Sequence, residues 1–232
     1  MLAIITGGTK GIGRAIALKL AQKNINIVAI SSSEQNLNQL KKLIEKSTEA
    51  TCYTHVCDLK SIDDRKKLLL ALTIYQEDLS ILVNNFGRYT SGSIDEITTQ
   101  DLINNFDQNV VTAFEISQLF IPTFKQKQSG FIFNILSVLS KSTRVSAAAY
   151  TMSKHAMDGL NKLLTEELRD YQVKVCGIFP GSVNTSAWDG IDAEKHKMIQ
   201  PEDIAEIVAS SLTLSDHMFV ERIDLSPLRK DI

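Results

Sequence analysis

The chain has 232 residues, of which 44% are hydrophobic and 22% charged, and its formal net charge is −2 at pH 7. This length favours one large α/β domain over two, and the apolar fraction suits a globular core and is too high for disorder. The charge offers no basic surface for nucleic acid, and no apolar run approaches the roughly 20 residues that span a membrane. We therefore expect no nucleic acid and no membrane as partners. The chain starts directly with a strand-like run and shows no signal-peptide pattern, so a cytoplasmic protein is the default expectation.

Strand-like and helical segments alternate along the chain. Apolar runs predict strands at 3–6, 25–30, 51–57, 81–84, 131–136, 173–179 and 219–225. Helical spacing predicts helices at 12–22, 34–46, 62–75, 100–126, 149–171 and 202–214. This alternation implies right-handed crossovers and a doubly wound, seven-stranded parallel sheet with helices on both faces. No linker divides the chain, so one domain over 1–232 is expected, and its least regular stretch is 186–200.

The first strand runs into a glycine-rich turn and then a helix. The run TGGTKGIG at 6–13 has the glycines Gly7, Gly11 and Gly13 in addition to Gly8. Glycines permit a tight turn and let the pyrophosphate of a ligand approach the backbone. A helix that begins near Gly11 aims free N–H groups and a partial positive charge at such an anion. The spacing differs from the GxGxxG form, so this turn alone does not establish a dinucleotide site.

A second candidate site lies in the run Tyr150-Thr151-Met152-Ser153-Lys154. The spacing of four puts Tyr150 and Lys154 on one face of a helix, one turn apart. A nearby ammonium favours the phenolate and lowers the phenol pKa from about 10, so the tyrosine can exchange a proton with an alcohol or carbonyl near neutral pH. Taken alone, the pair also fits two ordinary helix residues.

Together these motifs resemble the short-chain dehydrogenase/reductase family, and the similarity continues in chain order over residues 2–185. The matching segments are the glycine turn at 6–13, Asp58-Leu59, NNFG at 84–87 with Phe86 in place of the family's Ala, Asn109, Ser137 thirteen residues before Tyr150, and PGSVNT at 180–185. The resemblance implies a single-domain Rossmann fold. It also implies an oxidoreductase that interconverts a carbonyl and a secondary alcohol by hydride transfer.

The resemblance assigns catalytic roles to Asn109, Ser137, Tyr150 and Lys154. Tyr150 is expected to act as general acid/base, and Ser137 to share with it the charge that grows on the substrate oxygen. Lys154 is expected to lower the pKa of Tyr150 and to bind the nicotinamide ribose. Asn109 is expected to hold a water that returns the proton through Lys154.

The resemblance also assigns a cofactor crevice. Its residues are Gly7, Thr9, Lys10, Gly11, Ile12, Gly13, Ser31, Ser32, Asp58, Leu59, Asn85, Phe86, Gly87, Tyr150, Lys154, Pro180, Gly181, Val183 and Thr185. The second strand ends at Ser31-Ser32-Ser33 with no carboxylate before Glu34, whereas NAD-specific folds place an acid there for the ribose 2′-OH. With Lys10 in the turn, this pattern favours NADP(H) over NAD(H). The ring of Phe86 is expected to crowd the cofactor ribose unless its loop shifts.

The stretch 186–200 corresponds to the substrate lid of the family. Trp188 is expected to line a substrate pocket there together with Ser137 and Tyr150, and simple packing of the loop is an equally good interpretation. Helices 100–126 and 149–171 carry more apolar residues than one buried face requires, and in the family they form the subunit interface. The resemblance thus implies a homodimer or homotetramer with a small-molecule carbonyl or alcohol substrate.

Several alternatives stay open at this point. A non-catalytic NADP-binding regulator could share the fold, although such proteins usually lose part of the four-residue catalytic set. A dehydratase or epimerase suits longer chains. Trp188, the helix start at 201–205 and the glycine-free ending at 219–228 resemble the bacterial sepiapterin-reductase-like branch, so a pteridine and a 3-ketoacyl thioester are both candidate substrates.

Neither the cysteines nor the histidines form a metal-binding pattern. Cys52, Cys57 and Cys176 have no metal-ligand spacing and are an odd number, so we expect three buried thiols. The four histidines are scattered, and His155 is expected on a helix surface. No metal site is predicted.

Overall fold

One parallel sheet of seven strands forms the centre of the protein. The computed structural model describes residues 1–190 and 192–228. The strands are β1 (Leu2–Thr6), β2 (Asn26–Ser31), β3 (Cys52–Val56), β4 (Leu79–Asn84), β5 (Gly130–Ile135), β6 (Val173–Pro180) and β7 (Arg222–Leu225). Their order is β3-β2-β1-β4-β5-β6-β7, and every neighbouring pair is parallel. The predicted doubly wound, seven-stranded parallel sheet is therefore confirmed.

Helices cover both faces of this sheet. They are α1 (Gly11–Ala21), α2 (Glu34–Ser47), α3 (Ile62–Leu72), α4 (Thr99–Phe106), α5 (Thr112–Lys127), α6 (Ala148–Arg169) and α7 (Pro201–Ser211). Successive residues of a strand point to opposite faces, so the strands contribute to two apolar clusters. In β1, Ala3 and Ile5 pack with α1, α2 and α7, whereas Leu2 and Ile4 pack with α3, α5 and α6.

The order of the strands reverses direction at β1. The chain winds outward from β1 to β2 and β3, and then returns to place β4 on the other side of β1. Loops that leave β1 and β4 at their carboxyl ends therefore diverge and open a crevice, which is where ligands bind in open α/β sheets. The glycine turn follows β1 and the NNFG run ends β4, so both motifs lie at this crevice.

Most predicted boundaries agree with the structure within two residues, with four differences. The predicted helix 202–214 ends at Ser211. The predicted helix 100–126 is interrupted by a π-turn at Asp107–Val111, between α4 and α5. The predicted helix 62–75 ends as α-helix at Leu72 and continues as a 3₁₀ turn. The predicted strand 219–225 begins only at Arg222, because pairing with β6 starts opposite Gly177.

Some expectations fall partly outside the described residues. Residue 191 of the predicted lid and residues 229–232 of the predicted domain are among these. None of the helices within 1–190 and 192–228 has the length and apolarity needed to cross a membrane. The three cysteines are buried free thiols, as expected, and His155 is exposed on α6.

Candidate active site

Lys154 lies at the centre of the site, at the carboxyl end of β5. It is on the second turn of α6, 5% exposed, and its Nζ donates to the carbonyl of Ile135 at 2.9 Å. The same nitrogen lies 5.7 Å from the centroid of the Tyr150 ring. The helical spacing of four thus places the ammonium beside the phenol, as predicted, and the end of β5 holds it there.

The pKa values of this pair differ from the expectation. Burial raises the pKa of Tyr150 to about 12, against opposing effects of a hydrogen bond with Ser137 and the positive charge of Arg144. Burial also lowers the pKa of Lys154 to about 8. The expected lowering of the Tyr150 pKa is therefore wrong for this structure, because removal from water outweighs the charges around the phenol. At pH 7 the phenol is neutral and carries a proton to donate.

Asn109 lies in the π-turn and joins three segments. It is 2% exposed. Its Oδ1 accepts from the backbone N–H of Arg88 at 2.8 Å, and its Nδ2 donates to the Arg88 carbonyl at 3.1 Å. The Nδ2 also donates to Oγ of Ser153 at 2.9 Å, and that hydroxyl donates to the Tyr150 carbonyl at 2.7 Å. Asn109 therefore connects the loop after β4 with the first turns of α6.

Gly87 separates Asn109 from Lys154 and shows how closely they approach. A Cβ at Gly87 would lie 2.6 Å from Oδ1 of Asn109 and 3.6 Å from Nζ of Lys154. Both side chains thus face the same short stretch of backbone. Ser153, which ties Asn109 to α6, was missed by sequence reasoning, because no local pattern connects residues 44 positions apart.

Ser137 follows β5 and has two roles in the structure. Its Oγ accepts from the backbone N–H of Leu139 at 3.1 Å, so it caps the 3₁₀ turn Val138–Ser140. The Ser137 side chain also acts to lower the pKa of the Tyr150 phenol, against the larger effect of burial. On the other side, the ring of Tyr89 meets the Tyr150 ring edge-on, with centroids 5.1 Å apart. Tyr89 carries no sequence signal and was not predicted.

The glycine turn after β1 is held by residues that follow β4. The Thr6 hydroxyl accepts from the backbone N–H groups of Asn85 and Phe86, both at 2.9 Å. The Asn85 Nδ2 donates to the carbonyls of Thr6 at 2.8 Å and Gly7 at 3.2 Å. A Cβ at Gly13 would lie only 2.5 Å from that Nδ2. Glycine is therefore required at position 13 for this contact.

The first turn of α1 has the features of an anion-binding site. Its N-cap, Lys10, makes no side-chain cap, and the first turn has no acidic residue, so the terminal N–H groups and the helix dipole are not compensated by side chains. Gly11 has φ +49°, and a Cβ there would lie 2.9 Å from Cγ2 of Thr185. The two segments face each other across a cleft of about 470 Å³. The residues fit a pyrophosphate at this helix N-terminus.

The ends of β2 and β3 place the remaining predicted cofactor residues. The Thr9 hydroxyl donates to Oγ of Ser31 at 2.8 Å, whereas Ser32 and Lys10 are exposed. Asp58 is half-buried after β3, where its Oδ1 accepts from the backbone N–H of Lys60. Ile12 is half-buried in α1 and Leu59 is buried after β3.

Phe86 replaces the family's Ala in the NNFG run. Its ring packs against the apolar cluster that includes Ile4, Ile30 and Leu82, on the face covered by α3, α5 and α6. The ring is half-buried there, so it has an apolar surface to pack against besides the crevice, and crowding of the cofactor ribose stays a prediction.

The segment after β6 forms the base of the predicted lid. Pro180 ends β6, and the backbone N–H of Gly181 donates to the Leu225 carbonyl in β7 at 2.8 Å. Val183 is buried and forms an isolated parallel bridge with Ile199. Trp188 is half-buried in a 3₁₀ turn that Thr185 caps. The stretch 186–200 thus leaves and returns at one hydrogen-bonded base.

A buried arginine beneath the crevice was also missed. Arg65 in α3 pairs with Asp107 of the π-turn and with Glu115 of α5. One charged residue in a helix gives no sign of partners 42 and 50 positions away, so the sequence could not identify it. In 1–190 and 192–228, no cluster of three or more histidine, cysteine or acidic side chains could hold a metal ion.

Comparison with known proteins identifies the family of this chain. The family model for short chain dehydrogenases matches residues 1–196. An uncharacterized oxidoreductase of Staphylococcus epidermidis is 30% identical over 228 residues, which are 98% of this chain and 97% of the relative. One from Staphylococcus aureus is 26% identical, with the same coverage. The chain therefore belongs to the short-chain dehydrogenase family of oxidoreductases, as the sequence motifs indicated.

Solved structures are similar over nearly the whole chain. A metagenomic short-chain oxidoreductase in complex with NADP is 28% identical, with a TM-score of 0.84 over 99% of this chain and 98% of that one. An acetoin dehydrogenase from Enterobacter cloacae is 26% identical, with a TM-score of 0.85 over 97% and 94%. An alcohol dehydrogenase from Thermococcus sibiricus complexed with 5-hydroxy-NADP has a TM-score of 0.90 over 100% and 99%, at 22% identity, and it supports the fold alone.

The contact at Gly13 leads to the first prediction. In Gly13→Ala, the new Cβ would meet Nδ2 of Asn85 and the Gly7 carbonyl, each at 2.5 Å, so the glycine turn must shift. Since a displacement of 1 Å at a binding site is costly, we expect NADPH affinity, measured by isothermal titration, to fall about 10-fold or more. Gly159→Ala is the control, because nothing lies within 4 Å of its Cβ. A folded Gly13→Ala protein with unchanged affinity would contradict the role given to the turn.

Proposed function

We propose that the protein is an NADP(H)-dependent oxidoreductase that interconverts a carbonyl and a secondary alcohol, with Tyr150 as the general acid/base. The observation that carries this proposal is the arrangement around Tyr150. Its phenol is neutral, the Ser137 side chain acts to lower its pKa, and the buried Lys154 ammonium lies 5.7 Å from the centre of its ring. A regulator without catalysis would have no need to keep a lysine in a site that lowers its pKa.

The crevice supports a dinucleotide along its whole length. The uncompensated α1 terminus and the glycine turn would hold the pyrophosphate, and 85–87, Lys154 and 180–185 would hold the nicotinamide half. Bound NADPH supplies a hydride for the carbonyl carbon. As charge grows on the carbonyl oxygen, the hydroxyls of Ser137 and Tyr150 stabilise it. Tyr150 then donates its proton, and the Lys154 ammonium offsets the charge left on the phenolate.

The proton on Tyr150 has to be replaced after each reduction. With a pKa of about 8, Lys154 is mostly protonated at pH 7 and can supply it. The Asn109 Nδ2 has both protons engaged with Arg88 and Ser153, while Oδ1 accepts one backbone N–H. A carbonyl oxygen has two lone pairs, so a relay water would bind Asn109 by donating to Oδ1.

The residues around Tyr150 also suggest where the substrate and the lid would lie. Tyr89 and Trp188 would form apolar walls around the reacting carbonyl, with 186–200 as the lid. A pteridine and a 3-ketoacyl thioester remain the candidate substrates from the sequence, and the similarity to an acetoin dehydrogenase adds small hydroxyketones to a screen by NADPH oxidation. A cytoplasmic location remains a prediction from the sequence.

The catalytic prediction concerns Tyr150→Phe. This variant keeps the ring and its contact with Tyr89 but lacks the hydroxyl. General acid–base catalysis contributes about 10²- to 10⁴-fold, so turnover should fall by that factor at saturating NADPH. Ser137→Ala should lower turnover with NADPH affinity nearly unchanged, whereas Lys154→Ala should lower both. Near-normal turnover of folded, NADPH-saturated Tyr150→Phe would show that the tyrosine is structural.

The cofactor prediction concerns the end of β2. Ser32 is exposed directly after the strand, with no carboxylate before Glu34, so a 2′-phosphate would meet hydroxyls and not an acid. Titration should show tighter binding of NADPH than of NADH. Ser32→Asp should reverse that order by repelling the phosphate. Equal or tighter binding of NADH by the wild-type protein would rule out NADP(H) as the preferred cofactor.

The assembly prediction concerns apolar side chains on α4, α5 and α6. Ile103, Phe114 and Leu163 are 54%, 46% and 69% exposed. Burying them between subunits would give a homodimer or homotetramer. Light scattering should show an oligomer, and Leu163→Asp should shift it toward monomer. Leu70→Asp on α3 is the control, since Leu70 is exposed but lies on a different helix. A wild-type protein that is a monomer at micromolar concentration would exclude the proposed assembly.

A further inference from the structure

Arg65 has every branch of its guanidinium engaged below the crevice. It is 2% exposed. Its Nη1 and Nη2 bind the two carboxylate oxygens of Asp107 at 2.8 and 2.6 Å. Its Nε donates to Glu115 at 2.8 Å, and Nη1 also donates to the carbonyl of Leu59 at 2.8 Å. One residue of α3 therefore contacts the loop after β3, the π-turn and α5.

Stability alone does not explain such a network. Removing a guanidinium from water is costly, and a buried ion pair is often no more stabilising than apolar side chains of similar volume. What a paired arginine adds is geometry, because its planar fork fixes a carboxylate in position and orientation. The residues that Arg65 holds therefore matter more than the energy of the pair.

Asp107 begins the π-turn, and both its side chain and its backbone carbonyl are hydrogen-bonded. Its carboxylate is bound by Arg65, and its backbone carbonyl accepts both the N–H of Thr112 and the Thr112 hydroxyl, the latter at 3.0 Å. The N–H bond spans five residues, which defines the π-turn. Asn109 lies inside this turn, and its amide reaches the Arg88 backbone and Ser153 only from there.

Arg65 has two arms: its contact with the Asp107 carboxylate, described above, and its contact with the Leu59 carbonyl. The Leu59 arm reaches the opposite end of the crevice. The Leu59 carbonyl that it binds belongs to the loop after β3, next to the half-buried Asp58. Asp58 and Leu59 are assigned above to the cofactor crevice, and in the resemblance to the family they match the segment that contacts the adenine ring. The same guanidinium is thus bonded to both the π-turn and the adenine-side loop.

We propose that Arg65 is a positioning residue that fixes the π-turn, and through it Asn109, while its bond to Leu59 sets the adenine-side loop. This inference rests on the proposed function, because it assigns Arg65 to the reaction through Asn109. The proposal predicts different effects for the two contacts of Arg65. Loss of the Asp107 arm affects turnover, and loss of both arms affects turnover and NADPH affinity.

Two variants separate the arms. Asp107→Asn removes the charge that fixes the turn but leaves Arg65 able to bind the Leu59 carbonyl. Its turnover number should fall about 10-fold or more, since small displacements of a catalytic group are costly, with NADPH affinity nearly unchanged. Arg65→Lys replaces the three nitrogens of the guanidinium by one, which cannot reproduce the contacts with Asp107, Glu115 and the Leu59 carbonyl together. It should show the same fall in turnover and, in addition, NADPH binding weakened about fivefold in isothermal titration.

A double variant tests whether Arg65 acts through Asn109. If it does, Arg65→Lys combined with Asn109→Ala should turn over no more slowly than Asn109→Ala alone. Arg169→Gln is the control. It breaks an exposed arginine–carboxylate pair with Glu221 at 2.7 Å, and such surface pairs contribute little, so its kinetics should match those of the wild-type protein.

Hydrogen exchange of the cofactor-free protein supplies a readout that needs no turnover. Amides in 107–112 should exchange faster in both Arg65→Lys and Asp107→Asn, with β5 and β6 unchanged. Unchanged exchange there, or a double variant whose defects multiply, would overturn the proposal. A wild-type protein that lacks carbonyl reduction would contradict the proposed function, and exchange at 107–112 would still decide whether Arg65 holds the turn.

Discussion

The site depends on the join between β1 and β4, where the sheet reverses its winding. A loop that leaves β1 could adopt many conformations, but the Thr6 hydroxyl and the Asn85 amide bind it directly to the backbone that follows β4. These bonds set the glycine turn and therefore the direction of α1. They also set where Gly87 passes between Asn109 and Lys154. The phosphate end and the reactive end of the crevice are thus positioned by one small group of hydrogen bonds.

Burial is the second constraint, and it acts on both members of the proposed catalytic pair, Tyr150 and Lys154. Taking the Tyr150 phenol and the Lys154 ammonium out of water favours their neutral forms, so the pKa of the phenol rises to about 12 while the pKa of the ammonium falls to about 8. The Lys154 ammonium is therefore the stronger acid of the two, and transfer of its proton to a Tyr150 phenolate is favourable. The helical spacing brings the two groups together, and their environment decides which of them holds the proton.

Local patterns in the sequence predicted the sheet, the helices and the family, because apolar periodicity and glycine turns are short-range properties. The spacing of four named Tyr150 and Lys154, and the family resemblance named Ser137; the structure places all three at the carboxyl end of β5. Contacts across the fold could not be predicted in this way. Arg65, Ser153 and Tyr89 are ordinary residues in the sequence, and only the packing of separate segments gives them partners. The pKa of Tyr150 was predicted in the wrong direction, because a spacing of four reveals a neighbour and not the loss of water.

The π-turn at Asp107–Val111 has a consequence for how this chain can change over evolution. A π-turn holds one residue more than the α-helix around it, and each helical residue turns the chain by about 100°. Deleting a single residue there would restore an unbroken helix and rotate α4 by that angle relative to α5. Asn105, whose Oδ1 accepts from the Thr90 hydroxyl at 2.9 Å, would be carried away from its partner. The contact of Asn105 with Thr90 therefore fixes the length of the chain between α4 and α5 as well as its composition.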